Sequence, residues 1–545
     1  MASASTRYRI GFDIGGTFTD FVLLDQEDRA LRLHKCLTTP ADPSVGALQG
    51  MRELLDAAGL SLSAVGHVVH GTTLATNAII ERKGARLGLL TTRGFRDILE
   101  MGTEQRYDIH DLFLTYPDAL APRRRRREID ERVDRDGKVV TPVDLEQVRA
   151  EVRALLDDGA EAIAVCFIHA YANPAHERAV RDLIRSEFPG VAVSASSDVH
   201  PQIKEYERTS TTAANAYVQP LMSEYVAKLS AALAEQGFNG RFHLIQSSGG
   251  LTAPETAAEL PIRFLESGPA GGAQATGLIG RAIGHPDVLS FDMGGTTAKA
   301  ALIQDGEPDI APMLEAGRVH RFKKGSGIPV FAPVIDMIEI GAGGGSIARV
   351  DDLGLLKVGP DSAGADPGPA CYGAGGTQPT VTDANLLLGY LDPGYFLGGR
   401  MSLDVAASEA AVAGLAGRLG LSTLETAWGI YDLVCENMAG AARVHIVEKG
   451  RDPRRYAMVA MGGAGPLHAA RVARKLGMRE VVVPPASGAA SALGFLGAPV
   501  SYEMARSFPV RIADPDYAAI EAMLAEMEAE GRQRLADAGV ASGIT

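Results

Sequence analysis

The chain has 545 residues, of which 46% are hydrophobic and 22% charged, as in a soluble globular protein of about two to four domains. Its net charge of −14 argues against a nucleic-acid partner, because the phosphate backbone would be repelled. No apolar run approaches the ~18 residues of a membrane span, no signal peptide is visible, and the four cysteines form no C-x-x-C pair. These features predict a cytoplasmic protein with no membrane partner.

Strand-like and helix-like segments alternate along the chain. In chain order, the predicted strands cover residues 68–70, 87–90, 162–168, 334–340, 456–460 and 480–483. The predicted helices cover residues 74–82, 466–476 and 517–538, and glycine-rich loops occupy 71–73 and 462–465. This succession predicts an α/β fold in which helices cover largely parallel sheets.

Three regions are predicted. The first covers residues 7–189 and the second covers residues 200–500. The third, residues 501–545, ends in a helix that has no partner in the sequence. We interpret the third region as the start of a C-terminal domain that the chain does not complete.

An internal repeat is the most informative feature of the sequence. The segment IGFDIGGT from Ile10 matches LSFDMGGT from Leu289. In each copy an apolar strand ends in Asp, a Gly-Gly-Thr turn follows, and a second apolar strand begins, which predicts a β-hairpin. Two matching hairpins far apart in the sequence predict two related half-molecules that face each other.

Both predicted turns carry residues suited to binding phosphate. Glycine allows close backbone approach, while N–H groups and threonine hydroxyls donate hydrogen bonds to the anion. Asp13 and Asp292 are the predicted catalytic residues, because carboxylates hold Mg²⁺ through water or orient an attacking water. The alternative is two plain hairpins with glycine turns, but chance rarely keeps Asp, Gly, Gly and Thr in register twice. The predicted phosphate contacts are Gly15, Gly16, Thr17, Thr19, Gly294, Gly295, Thr296, Thr297 and Lys299.

A third glycine loop lies between a predicted strand and a predicted helix. Gly462, Gly463 and Gly465 are predicted to contact an adenosine or its phosphates. A dinucleotide-binding fold would require a third glycine where His468 stands and an acid after the next strand, which instead ends in Val-Pro-Pro at 483–485. Nucleotide binding of another type is therefore favoured.

The remaining motifs suggest supporting roles. Residues 266–272, ESGPAGG, open a helix and form a candidate anion site. In the loop GAGGGS, residues 341–346, Ser346 is a candidate nucleophile of the serine-amidase kind, but no G-x-S-x-G or S-x-x-K motif accompanies it, so close backbone packing is favoured. Three lone histidines are predicted to be structural, namely His70, His169 and His200. The sequence contains no motif typical of a protein metal site.

Ten segments of the sequence resemble sequences of the hydantoinase/oxoprolinase family, and within it those of hydantoinase A. They are RIGFDIGGTFTD from Arg9, HGTTLATNAII from His70, ERTSTTAANAYVQP from Glu207, QSSGGL from Gln246, ESGPAGG from Glu266, FDMGGTTAK from Phe291, IGAGGGSIA from Ile340, GADPGPACYG from Gly364, VTDANLLLG from Val381 and MGGAGPLHA from Met461. So many spaced matches make the resemblance specific at the level of the family.

The resemblance implies an α/β, actin-like ATPase (ribonuclease H-like) fold of duplicated domains with a nucleotide cleft between them. It also implies that ATP, with Mg²⁺, phosphorylates the amide oxygen of a cyclic amide of the 5-oxoproline or hydantoin type, which water then hydrolyses. A hydantoinase B-type subunit is implied as the partner in a hetero-oligomer. By the same resemblance, Asp13, Gly15, Gly16 and Thr17 form the first phosphate loop, Asp292, Gly294, Gly295 and Thr296 the second, and Gly462, Gly463 and Gly465 the adenosine side.

Two other functions remain open at this point. The chain could be the ATP-hydrolysing subunit of an acetone- or acetophenone-type carboxylase. It could also be a non-enzymatic switch in which ATP drives a change of conformation. The sequence alone does not choose the substrate.

Overall fold

A computed structural model of the protein describes residues 7–15, 18–39, 42–320 and 323–540. The strands are β1 (Tyr8–Ile14), β2 (Phe18–Asp25), β3 (Ala30–Leu37), β4 (Val65–Thr72), β5 (Leu87–Thr92), β6 (Arg126–Ile129), β7 (Arg132–Val133), β8 (Val139–Thr141), β9 (Ala162–Cys166), β10 (Ala192–Ala195), β11 (Arg241–Ile245), β12 (Leu251–Thr252), β13 (Val288–Met293), β14 (Ala298–Gln304), β15 (Glu307–Pro308), β16 (Ile310–Ala311), β17 (Leu314–Ala316), β18 (Ile328–Val330), β19 (Val334–Ile335), β20 (Met337–Ile340), β21 (Ser346–Val350), β22 (Leu356–Ser362), β23 (Ala457–Met461) and β24 (Val481–Val482).

The α-helices alternate with these strands. They are α1 (Pro43–Ala58), α2 (Leu74–Ile80), α3 (Ile98–Met101), α4 (Leu145–Asp157), α5 (Ala175–Glu187), α6 (Ser196–Val199), α7 (Glu205–Glu235), α8 (Pro254–Glu259), α9 (Ser267–Ala282), α10 (Val381–Leu387), α11 (Val405–Leu419), α12 (Thr423–Glu448), α13 (Gly465–Leu476), α14 (Ala490–Gly497) and α15 (Tyr517–Asp537). The chain forms two compact units. Unit 1 comprises Met1–Ala270, Ile310–Val334 and Ala498–Thr545, and unit 2 comprises Gly271–Asp309 and Ile335–Gly497.

The largest sheet of unit 1 has the order β12-β11-β4-β1-β2-β3. Strands β1, β2 and β3 form an antiparallel meander, whereas β4 and β11 continue the sheet in parallel. Ile10 and Phe12 on β1 are fully buried, and burial of such a side chain contributes about 1.5–3 kcal/mol. The packed strand therefore fixes the position of Asp13, the next residue, at the rim of the sheet.

A second sheet of unit 1 is entirely parallel, with the order β10-β9-β5-β6. Beside it, Glu177 is buried and accepts hydrogen bonds from Phe167 N (2.7 Å), Ser196 Oγ (2.6 Å) and Ser197 N (2.7 Å). Burial raises the pKa of Glu177, and the nearby Arg208 guanidinium opposes that rise. Arg208 also donates to Phe167 O at 2.7 Å. These bonds tie the start of α7 to the end of β9 without leaving a buried charge isolated.

Helix α7 crosses the core of unit 1. The hydrogen bonds of its threonines explain how a motif rich in polar residues can be buried there. Thr209, Thr211 and Thr212 each donate a hydroxyl hydrogen bond to the carbonyl four residues earlier, at 2.7 Å. These bonds satisfy the hydroxyls inside the helix itself, so the threonines can be buried.

The C-terminal stretch contacts unit 1. Arg534 of α15 forms an ion pair with Glu259 at 2.8 Å, and Arg506 forms one with Glu530 at 2.8 Å. The stretch that lacked a partner in the sequence therefore has partners in the fold. The predicted domain limits at 7–189, 200–500 and 501–545 stay predictions.

A chain of hydrogen bonds holds the end of α15. His243 Nε2 lies 2.8 Å from Ala538 O, His67 Nε2 lies 2.6 Å from His243 Nδ1, and Arg9 NH2 lies 2.9 Å from His67 Nδ1. A carbonyl only accepts, so His243 donates to Ala538, His67 donates to His243, and Arg9 donates to His67. Both rings must be neutral in this arrangement. Burial lowers the pKa of His67 to about 3 and also lowers the pKa of His243.

The large sheet of unit 2 has the order β15-β14-β13-β23-β24, and β20 pairs with β14. Its centre matches that of the first sheet: β13 and β14 form an antiparallel hairpin, and β23 runs parallel to β13 as β4 runs parallel to β1. Phe291 is fully buried one residue before Asp292, as Phe12 is before Asp13. The sequence repeat is thus a repeat of local structure.

Helix α12 forms the main helical wall of unit 2. It begins with a capping box in which Ser422 Oγ accepts from Glu425 N (3.2 Å) and Glu425 Oε2 accepts from Ser422 N (3.0 Å). Ile430, Val434 and Met438 follow at four-residue spacing on one helix face, and all three are fully buried.

Most of the predicted elements are confirmed, with three corrections. Strand β4 runs to Thr72, so part of the loop predicted at 71–73 is strand. The strand predicted at 334–340 is divided at Asp336 into β19 and β20. The two large sheets are mixed rather than largely parallel, because each is built on an antiparallel hairpin. Within the described part of the chain, no helix is long and apolar enough to cross a bilayer.

Candidate functional site

The first candidate turn joins β1 to β2. Gly15 N–H donates to Phe18 O at 3.0 Å across the end of the hairpin, while Asp13 pairs with Asp20 on the neighbouring strand. Two predicted phosphate contacts in this turn, Gly16 and Thr17, lie outside the described residues. Gly15 follows directly on the last residue of β1.

Thr19 lies behind this turn. Its side chain is fully buried and its Oγ1 is 3.1 Å from Thr38 Oγ1. Thr38 donates to Gly15 O at 2.9 Å, so the Thr38 oxygen accepts from the Thr19 hydroxyl. The Thr19 hydroxyl supports the turn through Thr38, and its predicted contact with phosphate stays a prediction.

Asp13 is half-buried and lies beside the first turn of α9. A Cβ at Gly268 would stand 3.0 and 3.1 Å from the two Asp13 carboxylate oxygens, so glycine leaves the carboxylate its space. Ser267 Oγ accepts from Thr72 N at 2.9 Å and donates to Thr72 O at 2.7 Å, which ties the helix start to the end of β4. Three motifs of the sequence, at residues 70, 266 and 13, therefore meet around one carboxylate.

His70 supports the same strand end from the core. Its ring stacks on Phe12 at 4.2 Å, its Nδ1 donates to Phe12 O at 3.3 Å, and its Nε2 accepts from Tyr225 OH at 2.7 Å. Burial lowers the pKa of His70 to about 3, so the ring is neutral. His200 is also buried, and its pKa is lowered to about 4. The structural role predicted for these two histidines agrees with their burial.

The second candidate turn, between β13 and β14, has the same closure as the first. Gly294 N–H donates to Thr297 O at 3.0 Å. Gly295 and Thr296 are exposed at the tip, whereas Thr297 is half-buried. The exposed tip leaves the backbone and hydroxyl donors of this turn available to an anion.

Lys299 stands where the first hairpin has Asp20. It pairs with Asp292 on one neighbouring strand and with Glu339 on the other. Residues directly opposite each other in an antiparallel pair share a face of the sheet. The residue opposite the aspartate is therefore a lysine in the second hairpin and a second aspartate in the first.

The loop 341–346 packs against the second turn through its backbone. Gly344 N–H donates to Gly294 O at 3.0 Å, and Gly345 N–H donates to Gly295 O at 2.6 Å. A Cβ at Gly343 would stand 2.5 Å from Gly295 O, so that position requires glycine. Ser346 is fully buried and accepts from Gly343 N at 2.9 Å. The close backbone packing predicted for this loop is confirmed.

Asp292 is enclosed by two further glycines. A Cβ at Gly462, whose φ is +81°, would stand 2.4 Å from Asp292 Oδ1, and one at Gly272 would stand 3.4 Å from Oδ2. Gly463 is exposed with nothing within 4 Å of such a Cβ, and Gly465 begins α13. The third glycine loop thus borders the second turn, and its predicted contact with adenosine stays a prediction.

Behind this loop, the buried side chain of His468 is held by polar and aromatic neighbours. Its Nε2 lies 3.0 Å from Asn385 Nδ2, its Nδ1 lies 3.3 Å from Cys435 Sγ, and its ring stacks on Tyr431 at 4.9 Å. Burial lowers the pKa of His468 to about 4. His468 therefore packs α13 onto its neighbours and faces away from solvent.

The carboxylates suit a hard cation such as Mg²⁺, which favours oxygen ligands and is usually bound by one or two carboxylates together with phosphate oxygens and waters. A Cβ at Gly268 would stand 3.0 Å from Asp13 Oδ2, and one at Gly462 would stand 2.4 Å from Asp292 Oδ1, so glycine at these two positions leaves room for the carboxylates. Over residues 7–15, 18–39, 42–320 and 323–540, no group of three or more His, Cys, Asp or Glu side chains is arranged to hold a metal. A cation held by a single carboxylate takes its remaining ligands from water and phosphate oxygens.

Sequence reasoning missed several supporting residues. Thr38 gave no signal, because a threonine at the end of a strand is common. Gly268 lies in a motif that was recognised only as a candidate anion site, although its proximity to Asp13 is what requires glycine. The loops at 266–272 and 341–346 were visible as glycine clusters, but the sequence did not show which turn each one contacts.

Comparison with known proteins decides the family. The family models for the Hydantoinase/oxoprolinase N-terminal region and for Hydantoinase/oxoprolinase match residues 9–188 and 208–504. The chain belongs to the hydantoinase/oxoprolinase family. This result confirms the resemblance read from the sequence.

Relatives and solved structures in this family cover nearly the whole chain. Caprolactamase subunit alpha of Pseudomonas jessenii is 36% identical over 542 residues, which are 98% of this chain and 76% of the relative. The crystal structure of ATP-dependent caprolactamase from Pseudomonas jessenii superposes with a TM-score of 0.85 at 35% identity and covers 99% of this chain and 78% of that one. The nucleotide-free structure of acetone carboxylase gives a TM-score of 0.79 at 30% identity, covering 98% and 77%.

These structures confirm the predicted α/β, actin-like fold class of this hydantoinase/oxoprolinase family member. The nucleotide cleft predicted between its two halves stays a prediction.

Proposed function

We propose that this chain is the ATP-binding subunit of an enzyme that hydrolyses a cyclic amide. One observation carries the proposal: an Asp-x-Gly-Gly-Thr hairpin occurs twice, with the same hydrogen bond from its first glycine, in a chain that is 36% identical to a caprolactamase subunit. A single glycine turn would be unremarkable. A repeated turn with a carboxylate next to it is what a triphosphate and its cation require.

The chemistry follows from the poor reactivity of an amide. The γ-phosphoryl group of ATP passes to the amide oxygen, and ADP leaves. Water then attacks the activated carbon, and the C–N bond of the ring breaks as the nitrogen leaves as an amine, which gives an acyl phosphate. A second water attacks the acyl carbon, and inorganic phosphate departs with the former amide oxygen to leave the carboxylate. Asp13 and Asp292 are the proposed catalytic residues, since a positioned carboxylate orients a nucleophile or balances the charge of a cation.

Binding of ATP is assigned to the two turns and the third glycine loop. Gly15, Gly16, Thr17 and Thr19 belong to the first turn region, and Gly294, Gly295, Thr296, Thr297 and Lys299 to the second. Asp13 and Asp292 would hold Mg²⁺ through water, because this hard cation keeps part of its hydration shell. Magnesium neutralises phosphate charge when it is bound, whereas the protein groups orient the nucleotide.

A partner subunit is part of the proposal. A relative that matches 98% of this chain is named as subunit alpha of its enzyme. We propose a hydantoinase B-type subunit as the partner in a hetero-oligomer that works in the cytoplasm. In that assembly the present chain supplies the nucleotide chemistry.

A second candidate function is the ATP-hydrolysing subunit of a ketone carboxylase. The acetone carboxylase structure favours it, because that enzyme performs ATP-dependent acetone carboxylation and its structure superposes over 98% of this chain. In this case the activated ketone would itself be the nucleophile, and it would attack the electrophilic carbon of CO2 derived from bicarbonate instead of being hydrolysed by water.

The test is an ATPase assay of the chain together with its B-type partner. The substrates are caprolactam, 5-oxoproline, hydantoin, and acetone or acetophenone with bicarbonate. Under the proposal, release of ADP follows one of the cyclic amides and stops when EDTA removes Mg²⁺. ADP release that depends on a ketone and bicarbonate would favour the carboxylase, and ADP release that no substrate stimulates would contradict both.

A further inference from the structure

The carbonyl of the first glycine in each turn accepts a hydrogen bond from outside its hairpin. In the second turn, Gly294 O accepts from the backbone N–H of Gly344 at 3.0 Å. In the first turn, Gly15 O accepts from the side-chain hydroxyl of Thr38 at 2.9 Å. The repeated turn is therefore anchored at the same atom by two chemically different groups.

Anchoring a carbonyl orients the donor that follows it. In a trans peptide unit, the C=O and the next N–H point in opposite directions. Gly294 O points into the loop at Gly344, so the N–H of Gly295 is directed to the opposite side, where Gly295 is exposed. An anchored carbonyl thus preorganises a phosphate donor before the ligand arrives.

Thr38 is itself held in place from two sides. Its oxygen accepts from the buried Thr19 hydroxyl at 3.1 Å, and this leaves its own hydrogen for Gly15. The next residue, Thr39, accepts through Oγ1 from Gly46 N at 3.0 Å, in the first turns of α1. The two adjacent threonines therefore have separate tasks, one toward the turn and one toward the helix.

We propose that Thr38 is a positioning residue of the first phosphate turn, whose hydroxyl holds the Gly15 carbonyl so that the turn is preorganised for nucleotide. The proposal rests on the proposed function, since it assigns the ligand of the turn as ATP. It assigns to a side chain in the first copy the task that a backbone N–H performs in the second. Thr38 touches no reacting atom in this scheme.

The experiment compares Thr38→Val, which removes the hydroxyl and keeps the shape, with Thr38→Ser, which keeps the hydroxyl. Thr39→Val is the matched control, because it removes the neighbouring hydroxyl that contacts α1 instead of the turn. Loss of one hydrogen bond should weaken ATP and ADP binding of Thr38→Val by about threefold to tenfold in calorimetry. In the complex with its partner, the KM for ATP should rise by a similar factor while kcat changes less.

Thr38→Ser should bind like the wild type, and Thr39→Val should keep its nucleotide affinity even if its melting temperature falls. Equal weakening by Thr38→Val and Thr39→Val, or wild-type affinity in Thr38→Val, would overturn the proposal. Thr38→Ala serves in the same role if Thr38→Val does not fold.

A ligand-free readout separates this inference from the proposed function. Hydrogen exchange at the amide of Gly15, which donates to Phe18 O, should be faster in apo Thr38→Val than in apo Thr39→Val and the apo wild type when measured by mass spectrometry. Unchanged exchange there means that Thr38 does not anchor the turn. A wild-type protein that binds no nucleotide would instead contradict the proposed function, and the exchange result would still decide the anchor.

Discussion

At the scale of single residues, the two aspartates are defined by the glycines around them. Asp13 lies against Gly268 and Asp292 lies against Gly462, in each case at a distance that a Cβ would disturb, whereas a Cβ at Gly272 would make only an ordinary contact with Asp292. The glycines are therefore as much a part of each carboxylate's environment as the turns are. Their sequence spacing from the aspartates is long, so this relation appears only in the fold.

Replacing either aspartate by asparagine should abolish ATP-coupled turnover and leave the fold intact. Asparagine has nearly the same shape, but it cannot supply the negative charge that a cation and a transferring phosphoryl group require. Turnover by the two-subunit enzyme should fall by at least about 100-fold for Asp13→Asn and for Asp292→Asn, with unchanged circular dichroism. Asp25→Asn is the control, because Asp25 pairs with Arg7 at the far end of β2. Near-wild-type turnover of either variant would show that its hairpin is structural.

Gly462→Ala should displace Asp292 and destabilise unit 2. The new Cβ would stand 2.4 Å from both Asp292 Oδ1 and Met293 O, and the φ of +81° is unfavourable for alanine. The expected loss of unfolding free energy is about 1–3 kcal/mol, measured by urea denaturation. In Gly463→Ala the Cβ meets nothing within 4 Å, so that variant should unfold like the wild type. Similar midpoints for the two variants would contradict the contact.

At the scale of secondary-structure elements, the sequence predicted which segments are strands and helices better than it predicted which of them lie side by side. The repeat at residues 10 and 289 predicted both hairpins, because the same apolar alternation stands on both sides of a glycine turn. It did not predict that β4 and β23 lie beside them in parallel, since such pairing depends on distant segments. The supporting contacts of the site follow the same rule: Thr38 and Gly344 reach their turns only through tertiary structure, for which a local sequence pattern carries no signal.

The hydrogen bonds at the end of α15 predict a response to acid. The folded-state pKa of His67 is about 3, below the ordinary value of 6.5, because burial and the cations Arg9 and Arg241 disfavour its protonation. A depressed pKa stabilises the fold above the unfolded-state value, and that contribution is lost as pH falls from about 6.5 toward 3. His243, with Arg241 and Arg9 also near it, changes in the same direction.

Limited proteolysis should therefore cut α15 faster as pH decreases below about 6.5, because protonation of either ring breaks one bond of the chain. A His243→Gln variant should be cut readily at neutral pH and should lose most of this pH dependence. His110→Asn is the control, because His110 is exposed in a loop. Equal protection of α15 at pH 7 and pH 5 would contradict a role of the histidines in holding it.

At the scale of the whole molecule, nucleotide binding and amide turnover should separate. We expect the isolated chain to bind Mg-ATP, because both aspartates and their turns belong to it, and to hydrolyse no cyclic amide until a B-type subunit is added. Gel filtration with light scattering of the co-expressed pair should show one stable complex, and calorimetry should show ATP binding to the chain alone. Turnover of a cyclic amide by the monodisperse single chain would contradict the need for a partner.

The different anchors of the two turns give them different mutational tolerance. Every amino acid except proline carries a backbone N–H, so exchange of the residue at Gly344 keeps the donor and instead brings a Cβ to 2.9 Å from Thr382 Oγ1. Position 38 is not a glycine, so added side-chain volume is not what limits exchange there. The hydroxyl that donates to Gly15 O is instead lost in any residue whose side chain lacks a suitable donor. In a saturation library, position 38 beside the first turn should therefore be sensitive to loss of a hydrogen-bond donor. Position 344 beside the second turn should be sensitive to side-chain volume. Copies that arose by duplication would in this way accept different substitutions as they diverge.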